Sequence, residues 1–389
     1  MTNVNTRKIC LAGKNQIAVD ALIYMINLGW KDRLMVCPNR NDTGVSTWQP
    51  SLIRYAREFG VDVVTLEQAQ EVPQLVFISL EFDRIIRPAD FQSDRLFNIH
   101  FSALPAYKGM YTSALPILHG KQRTGVTLHE IDSGIDTGPI IAQTIFKIPV
   151  TWTARDLYFA YMGHGFALFR EKLDRLVASE APRSTAQAAN GSSYFAKSEI
   201  DYAGLKINLF DTADGIIQQL RAFSFREYQI PIIEDMQIGG WDILNHSSRE
   251  KPGTVLDRDA ESLTIATIDY SLRLSRNRTW EWFEVTGELN DKALDPSHIN
   301  VRDKNGWTPL IRAAWAGDTR LCRKLLEFGA DPNRPNHNGT TPLMYAYSGK
   351  NPDEVAEVLR AHGADMEQRD NFGKSLKNYH PYAARNCIG

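Results

Sequence analysis

Apolar residues in the first third of the chain come in short runs separated by amphipathic stretches. Residues 8–12, 33–37, 61–64, 75–78 and 96–101 are strand-length runs rich in Val, Ile, Leu and Phe. Residues 16–28 and 52–59 between them carry helical spacing. Such alternation predicts a mostly parallel sheet with helices on both faces, an α/β class. Further on, 123–131 and 140–147 predict a strand pair around a glycine-rich turn, and 154–177 a long helix. Residues 184–193 are small and polar and read as a loop, and 211–223 as an amphipathic helix. Short runs at 254–256, 262–268 and 271–274 predict antiparallel strands of a small β module.

The opening is Rossmann-like, but Ala12-Gly13-Lys14-Asn15-Gln16 lacks GxGxxG, which argues against a dinucleotide enzyme, and no Walker A sequence occurs. The tail is different. Asp303-Lys304-Asn305-Gly306-Trp307-Thr308-Pro309-Leu310 returns as Asn336-His337-Asn338-Gly339-Thr340-Thr341-Pro342-Leu343, and a degraded third copy starts at Asp370. Gly329-Ala330-Asp331 returns as Gly363-Ala364-Asp365. Thr308 and Thr341 are placed to cap helices whose first position is proline, where no N–H donor is needed. This segment resembles ankyrin repeats, two antiparallel helices per copy closed by a glycine. The organisation expected is 1–235 as a catalytic α/β domain, 236–297 as the small β module and 298–389 as the repeats.

Charge narrows the partners. Lys and Arg number 44 against 46 Asp and Glu, a net charge of −2, whereas nucleic-acid binders usually carry a basic excess. No apolar run approaches the roughly 18 residues of a membrane span, and no leader pattern opens the chain. Four scattered cysteines, Cys10, Cys37, Cys322 and Cys387, make neither a disulfide framework nor a metal motif. The expectation is a reduced, cytoplasmic chain with no metal, no nucleic-acid partner and no membrane partner.

The chemistry sits in two segments. In Phe97-Asn98-Ile99-His100-Phe101, strand alternation puts Asn98 and His100 on one face at the C-terminal end of a parallel strand, where open α/β sheets bind ligands. In Ile131-Asp132-Ser133-Gly134-Ile135-Asp136-Thr137-Gly138, the glycines allow a tight loop that returns a carboxylate toward the imidazole. His129 reads as a packed strand residue. Asn-x-His followed by Ser102-Ala103-Leu104-Pro105-Ala106-Tyr107-Lys108-Gly109, and then Asp-x-Gly-x-Asp-Thr-Gly-Pro-Ile, resembles the folate-dependent formyltransferases over about residues 1–235. Many members have Leu where Ala103 stands. The resemblance implies a catalytic trio of Asn98, His100 and Asp136, with N10-formyltetrahydrofolate as cosubstrate. An amide can donate to the developing oxyanion, an imidazole can take the amine's proton, and a carboxylate can steady its cation. By position, the folate contacts implied are Phe82, Asp83, Arg84, Ile85, Ile131 and Asp132.

The acceptor is read from residues beyond these two segments. Arg221-Ala222-Phe223 after an amphipathic helix, with Tyr228 nearby, resembles the nucleotide-sugar N-formyltransferases, with Arg221 toward pyrophosphate and Phe223 or Tyr228 toward the base. Tyr107, Lys108 and Tyr111 come after the catalytic strand and are candidates for sugar or phosphate. The formyltransferase core, small β module and ankyrin tail together resemble enzymes that formylate dTDP-linked 3-amino-3,6-dideoxyglucose for the O-antigen of lipopolysaccharide. This implies a dTDP-amino sugar substrate and a homodimer joined through the β module. Aromatics at Trp307, Trp315, Tyr345 and Tyr347 raise a second ligand site at Trp307. Other readings are a methionyl-tRNA formyltransferase, a formyl-folate hydrolase, or an ankyrin-based interaction protein with a retired catalytic domain.

Overall fold

A computed structural model describes residues 7–45, 49–225, 228–277, 299–300, 307–336 and 338–380. The Asp303–Gly306 turn of the first repeat, His337, Cys387 and positions 278–297 of the expected β module lie outside the described residues. The chain divides into two compact units, one within 1–21, 30–42 and 56–277, the other within 22–29, 43–55 and 278–389.

The first unit is built on a seven-stranded sheet of order β3-β2-β1-β4-β5-β7-β8. Its strands are β1 (Ile9–Gly13), β2 (Leu34–Pro38), β3 (Asp62–Val63), β4 (Val76–Leu80), β5 (Leu96–His100), β7 (Arg123–Glu130) and β8 (Ile140–Lys147). Strands β1 to β5 run parallel, whereas β7 and β8 are antiparallel additions. Strands β1 and β4 are buried along their length, so they read as unbroken apolar runs. The unit's helices include α3 (Leu66–Gln70), α4 (Leu115–Leu118), α5 (Ala154–Val177) and α6 (Ala213–Phe223), while α1 (Asn15–Asn27) and α2 (Leu52–Phe59) are each divided between the two units. Thr153 opens α5 with a reciprocal cap to Asp156, and the Thr212 side chain accepts from Gly215 N–H at the start of α6.

A five-stranded sheet completes the same unit, of order β10-β11-β14-β13-β12, with β10 (Ile232–Ile233), β11 (Met236–Ile243), β12 (Val255–Arg258), β13 (Ser262–Ala266) and β14 (Ser271–Arg276). Strand β11 was not among the expected strands of the β module; its apolar run is broken by Gly239-Gly240. The register shifts between Ile238 and Gly240, and a Cβ on Gly239 would lie 2.7 Å from Asn277 Cα. The glycine pair is therefore a bulge where another backbone approaches. A short pair, β6 (Lys108–Gly109) and β9 (Tyr194–Phe195), lies outside both sheets.

In the second unit, α7 (Pro309–Ala316), α8 (Thr319–Glu327), α9 (Pro342–Tyr347) and α10 (Pro352–Ala361) form the repeated pairs, with α11 (Leu376–Tyr379) after them. Thr308 and Thr341 accept from Ile311 and Met344 N–H, and proline opens both helices, as expected. One asparagine per copy ties neighbours together. Asn300 donates to Gly329 O (3.1 Å) and accepts from Asp331 N–H (2.7 Å); Asn333 repeats this with Gly363 and Asp365 (2.9 and 2.6 Å). The degraded third copy keeps its turn, since Asp370 Oδ1 accepts from Phe372 and Lys374 N–H as Asn336 Oδ1 does from Asn338 and Thr340.

Also in this unit, Tyr55 Oη lies 3.2 Å from His380 Nδ1, and Tyr347 packs on the same imidazole at 5.2 Å. Burial, and then the Arg54 charge, push the His380 pKa down to about 3. The unfolded chain binds this proton more readily, so the stabilisation holds above the ordinary histidine pKa and is lost as pH falls below it toward 3. Moving from pH 7 to pH 4 should cost on the order of 3 kcal/mol from this residue. Urea unfolding of the full chain should show that loss, and His380→Gln, which still offers Tyr55 an acceptor, should flatten it.

Candidate functional site

The site lies at the C-terminal end of β5 in the first unit. Phe97 and Ile99 point to the core, and Asn98 and His100 share the opposite face. In the antiparallel register β5 to β7, Asn98 stands opposite His129 and His100 opposite Thr127. Cross-strand partners share a face, so His129 joins the site directly. Asn98 Nδ2 is 3.1 Å from His129 Nε2 and 3.3 Å from Asp136 Oδ1. His100 Nδ1 is 3.4 Å from Asp136 Oδ2, and His129 Nε2 is 3.6 Å from Asp136 Oδ1. Asn98, His100 and Asp136, drawn from two stretches of chain, therefore converge, and His129 completes a four-membered group.

Backbone geometry holds Asp136 there. It sits at φ 54°, the left-handed region that Asp tolerates better than most residues. Glu130 N–H donates to Pro139 O (3.0 Å) across the loop mouth, and a Cβ on Gly138 would lie 1.8 Å from Glu130 O, so only glycine fits. Asp132 Oδ1 accepts from Gly134 N–H (3.1 Å) and the Thr137 hydroxyl (2.6 Å), shaping the loop from within. Gln187, from the segment read as a plain loop, donates to the carbonyls of Asp136 and Gly138 at 2.8 Å each.

The chain after β5 folds back onto the same groups. Tyr107 O accepts from His100 Nε2 at 2.8 Å, and Gly109 N–H donates to Asp136 Oδ2 at 2.9 Å. Gly109, at φ 84°, runs so close to β9 that a Cβ would lie 2.3 Å from Phe195 O. A bond to a carbonyl assigns the ring proton to Nε2 of His100, leaving Nδ1 to face Asp136 with its lone pair. His129 Nδ1 donates to Glu130 O (2.7 Å), so its Nε2 accepts one Asn98 amide hydrogen. The other goes to Asp136.

Electrostatics derive from these partners. Burial works against the Asp136 charge, but His100, His129 and the Gly109 amide outweigh it and bring its pKa down to about 2. Burial lowers the His100 pKa; Asp136 and Tyr107 O pull the other way, and His129 adds to the lowering. The resting pair is a carboxylate beside a neutral imidazole, which can take a proton on Nδ1 and have that charge met by Asp136. Among the described residues no group of three or more His, Cys, Asp or Glu is arranged to hold a metal ion.

Residues 40–167 match the family description "Formyl transferase", and residues 288–370 match "Ankyrin repeats (3 copies)". A methionyl-tRNA formyltransferase of Rhizorhabdus wittichii is 30% identical over 290 residues, covering 69% of this chain and 89% of the relative. The chain belongs to the formyl transferase family. Two solved enzymes resemble this formyltransferase more strongly. The N-formyltransferase of Helicobacter canadensis, in complex with folinic acid and dTDP-3-aminofucose, is 43% identical, with TM-score 0.65 over 70% of this chain and 100% of that one. The sugar 3N-formyl transferase WlaRD, solved with dTDP and 5-N-formyl-THF, is 41% identical, with TM-score 0.64 over 70% of this chain and 98% of that one.

The other expected contacts fall into two groups. Ile85 (71% exposed) and Ile135 (39% exposed) stand on the loops after β4 and β7, beside half-buried Phe82 and Ile131. Exposed apolar side chains on two loops that flank the catalytic strand suit a flat heteroaromatic ring such as a pterin. Arg84 lies over Phe82 at 5.1 Å and pairs with Glu67, while Asp83 Oδ2 accepts from Arg40 N–H. Asp132 is occupied in its own loop.

Several acceptor candidates have structural partners instead. Arg221 donates through Nε to Trp152 O (2.8 Å) and through Nη2 to Pro149 O (3.1 Å), clamping the turn before α5. Phe223 is buried, edge-on to Tyr202. Tyr107 is buried, its hydroxyl 3.1 Å from His119 Nδ1, and Tyr111 Oη donates to Lys197 O (2.7 Å). Lys108 donates to Ser192 Oγ (3.1 Å). Tyr228 alone among them is widely open, at 60% exposed.

Two variants test the site. Asp136→Asn should lower kcat by about 10²–10⁴-fold. It should also move the acid limb of kcat/KM to lower pH, because the group that raises the His100 pKa is gone. His129→Leu should lower kcat about tenfold, the worth of one misplaced hydrogen bond, and His129→Gln should recover most of it. An unchanged kcat in His129→Leu, with the fold intact by thermal melting, would remove His129 from the site.

Proposed function

We propose that this formyltransferase moves a formyl group from N10-formyltetrahydrofolate to the amine of a dTDP-linked 3-amino-dideoxy sugar, 3-amino-3,6-dideoxyglucose first, in cytoplasmic assembly of O-antigen precursors. The observation that carries the reading is the 43% identity across the whole of an enzyme seen with folinic acid and dTDP-3-aminofucose. The convergence of Asn98, His100 and Asp136 supplies the chemistry.

The folate, when bound, supplies an activated formyl carbon, and Phe82, Ile85, Ile131 and Ile135 would hold its ring. As the amine nitrogen bonds to the formyl carbon, neutral His100 would accept the amine's proton at Nδ1 and Asp136 would stabilise the imidazolium; the same proton would then pass to N10 of the tetrahydrofolate as the carbon–N10 bond breaks. Asn98 spends both amide hydrogens on His129 and Asp136, so one must turn away to meet an oxygen that gains negative charge. A donor in that role is typically worth about 2.7–4 kcal/mol of barrier. Tyr107 O keeps the His100 tautomer fixed throughout.

A tRNA acceptor fits less well, since the net charge is −2 and the more similar solved enzymes were seen with dTDP ligands. Exposed Ile232, Ile243, Ile268 and Tyr270, on β10, β11 and the turn between β13 and β14, support a homodimer through the β module. In the repeats, Trp307 (5% exposed) packs on Tyr345 at 4.5 Å and on Trp315 at 6.0 Å, and this cluster is where a second nucleotide would stack.

The test is a panel of dTDP- and UDP-amino sugars and methionyl-tRNA, each with N10-formyltetrahydrofolate, monitoring tetrahydrofolate release and the formylated product. Turnover of dTDP-3-amino sugars, abolished in His100→Ala, is expected. Turnover of methionyl-tRNA alone, or of folate without a formylated acceptor, would overturn the reading. In the same preparation Trp307→Ala should lower the amount of dTDP bound per chain and leave kcat unchanged.

A further inference from the structure

Glu81 comes directly after β4 and takes no part in the steps above. It sits at φ 59°, with its carbonyl tied to Asn39 Nδ2 (2.9 Å). Its Oε2 accepts two hydrogen bonds, from Tyr158 Oη (2.8 Å) and Asn15 Nδ2 (3.2 Å), and Asn15 Nδ2 also lies 2.6 Å from Tyr158 Oη. The start of α1 and α5 thus converge on one oxygen of a carboxylate delivered by the end of β4. The second oxygen, Oε1, has no hydrogen-bond partner in the protein among the described residues, and Lys14, whose charge acts on the carboxylate, makes no salt bridge with it. Burial raises the Glu81 pKa, with Lys14, Tyr158 and Asn15 opposing. A half-buried carboxylate held by two neutral donors is costly to keep and gains from a further donor.

Its position is informative. Strand order reverses between β1 and β4, and in open α/β sheets ligands bind above that switch point. Asn15 and Glu81 stand on its two sides. A Cβ on Gly13 would lie 1.9 Å from Leu80 O, so the two strand ends come close just before these residues. In the β4–β5 register, Ser79 pairs with Asn98 and Leu80 with Ile99. Glu81 follows directly on the last paired residue of β4, at the sheet edge where the neighbouring β5 ends in His100. The Tyr158 ring is edge-on to Phe101 at 6.2 Å, and to Phe225 at 5.4 Å on its other side, with Tyr228 next at 4.8 Å from Phe225. The carboxylate is thus bonded to a tyrosine whose ring touches Phe101, the residue after the catalytic imidazole, on one side and an aromatic strip ending in an open tyrosine on the other.

We propose that Glu81, held by Tyr158 and Asn15 at the switch point, is the recognition point for a hydrogen-bond donor of the acceptor sugar, its ammonium or a ring hydroxyl beside it. This rests on the sugar N-formyltransferase reading. A carboxylate oxygen only accepts, so it selects a donor, and its place one strand from His100 orients the amine for transfer. Tyr158 and Asn15 act as positioning residues.

The test uses the full-length enzyme and its Glu81→Gln and Tyr158→Phe variants, with thermal melts to verify folding. Glu81→Gln should raise KM for dTDP-3-amino-3,6-dideoxyglucose about tenfold or more, with Kd for folinic acid and for dTDP unchanged. Tyr158→Phe should raise it less. If the donor is the ammonium, the difference between wild type and Glu81→Gln shrinks as pH rises above the amine's pKa, and dTDP-3,6-dideoxyglucose, which has no donor at that carbon, binds both alike. If it is a hydroxyl beside the amine, dTDP-3,6-dideoxyglucose binds Glu81→Gln more weakly than wild type at every pH. Wild-type turnover with KM in both variants within twofold of wild type overturns this proposal alone. Equal losses of folinic acid and dTDP binding overturn it too, since they mark a purely structural role. Absence of any wild-type binding of amino sugars overturns the reading beneath it.

Discussion

Everything in the site turns on one carboxylate. Asp136 is taken largely out of water, yet kept ionised by a backbone amide and by side chains from two strands. In a low-dielectric pocket, an anion without such partners would take up a proton and lose its use. The backbone that delivers it is equally constrained: φ 54° at Asp136, no room for a side chain at Gly138, and none at Gly109 across from it. Loop conformation, carboxylate charge and imidazole basicity are thus one arrangement.

The sheet explains why these groups meet where they do. Parallel strands β1, β4 and β5 end on the same edge, so the residues just past them are set side by side at strand spacing. The antiparallel addition of β7 then brings His129 opposite Asn98, and the loop to β8 carries Asp136 back. Family membership and the likeness to dTDP-sugar enzymes agree with this geometry. The repeats rest on a different device, an asparagine in each copy that bridges to the next.

Much of this was legible in the chain. Buried parallel strands show as apolar runs, and α5 shows as a long helical stretch over the residues expected. Alternation on β5 placed Asn98 and His100 on one face. What escaped depended on tertiary register or on backbone atoms. His129 became visible only through its pairing across β7, and Gly109 acts through an N–H that no side-chain pattern announces. Strand β11 was hidden by its glycine bulge, and α3 and α4 are too short, at five and four residues, to show a period. Arg221 reads in sequence as a pyrophosphate contact, and its guanidinium donates to two carbonyls far along the chain. Glu81 had no motif at all, because its partners are set by the strand-order reversal.

The most direct measurement is a crystal structure of the enzyme with folinic acid and a dTDP-3-amino sugar. The account predicts the sugar nitrogen within hydrogen-bond reach, about 2.6–3.2 Å, of the imidazole at position 100, directly or through one water. The Asp136 carboxylate should remain against that ring. A sugar bound with its amine beyond the reach of that ring, or a loop that carries Asp136 away when both ligands are present, would contradict it.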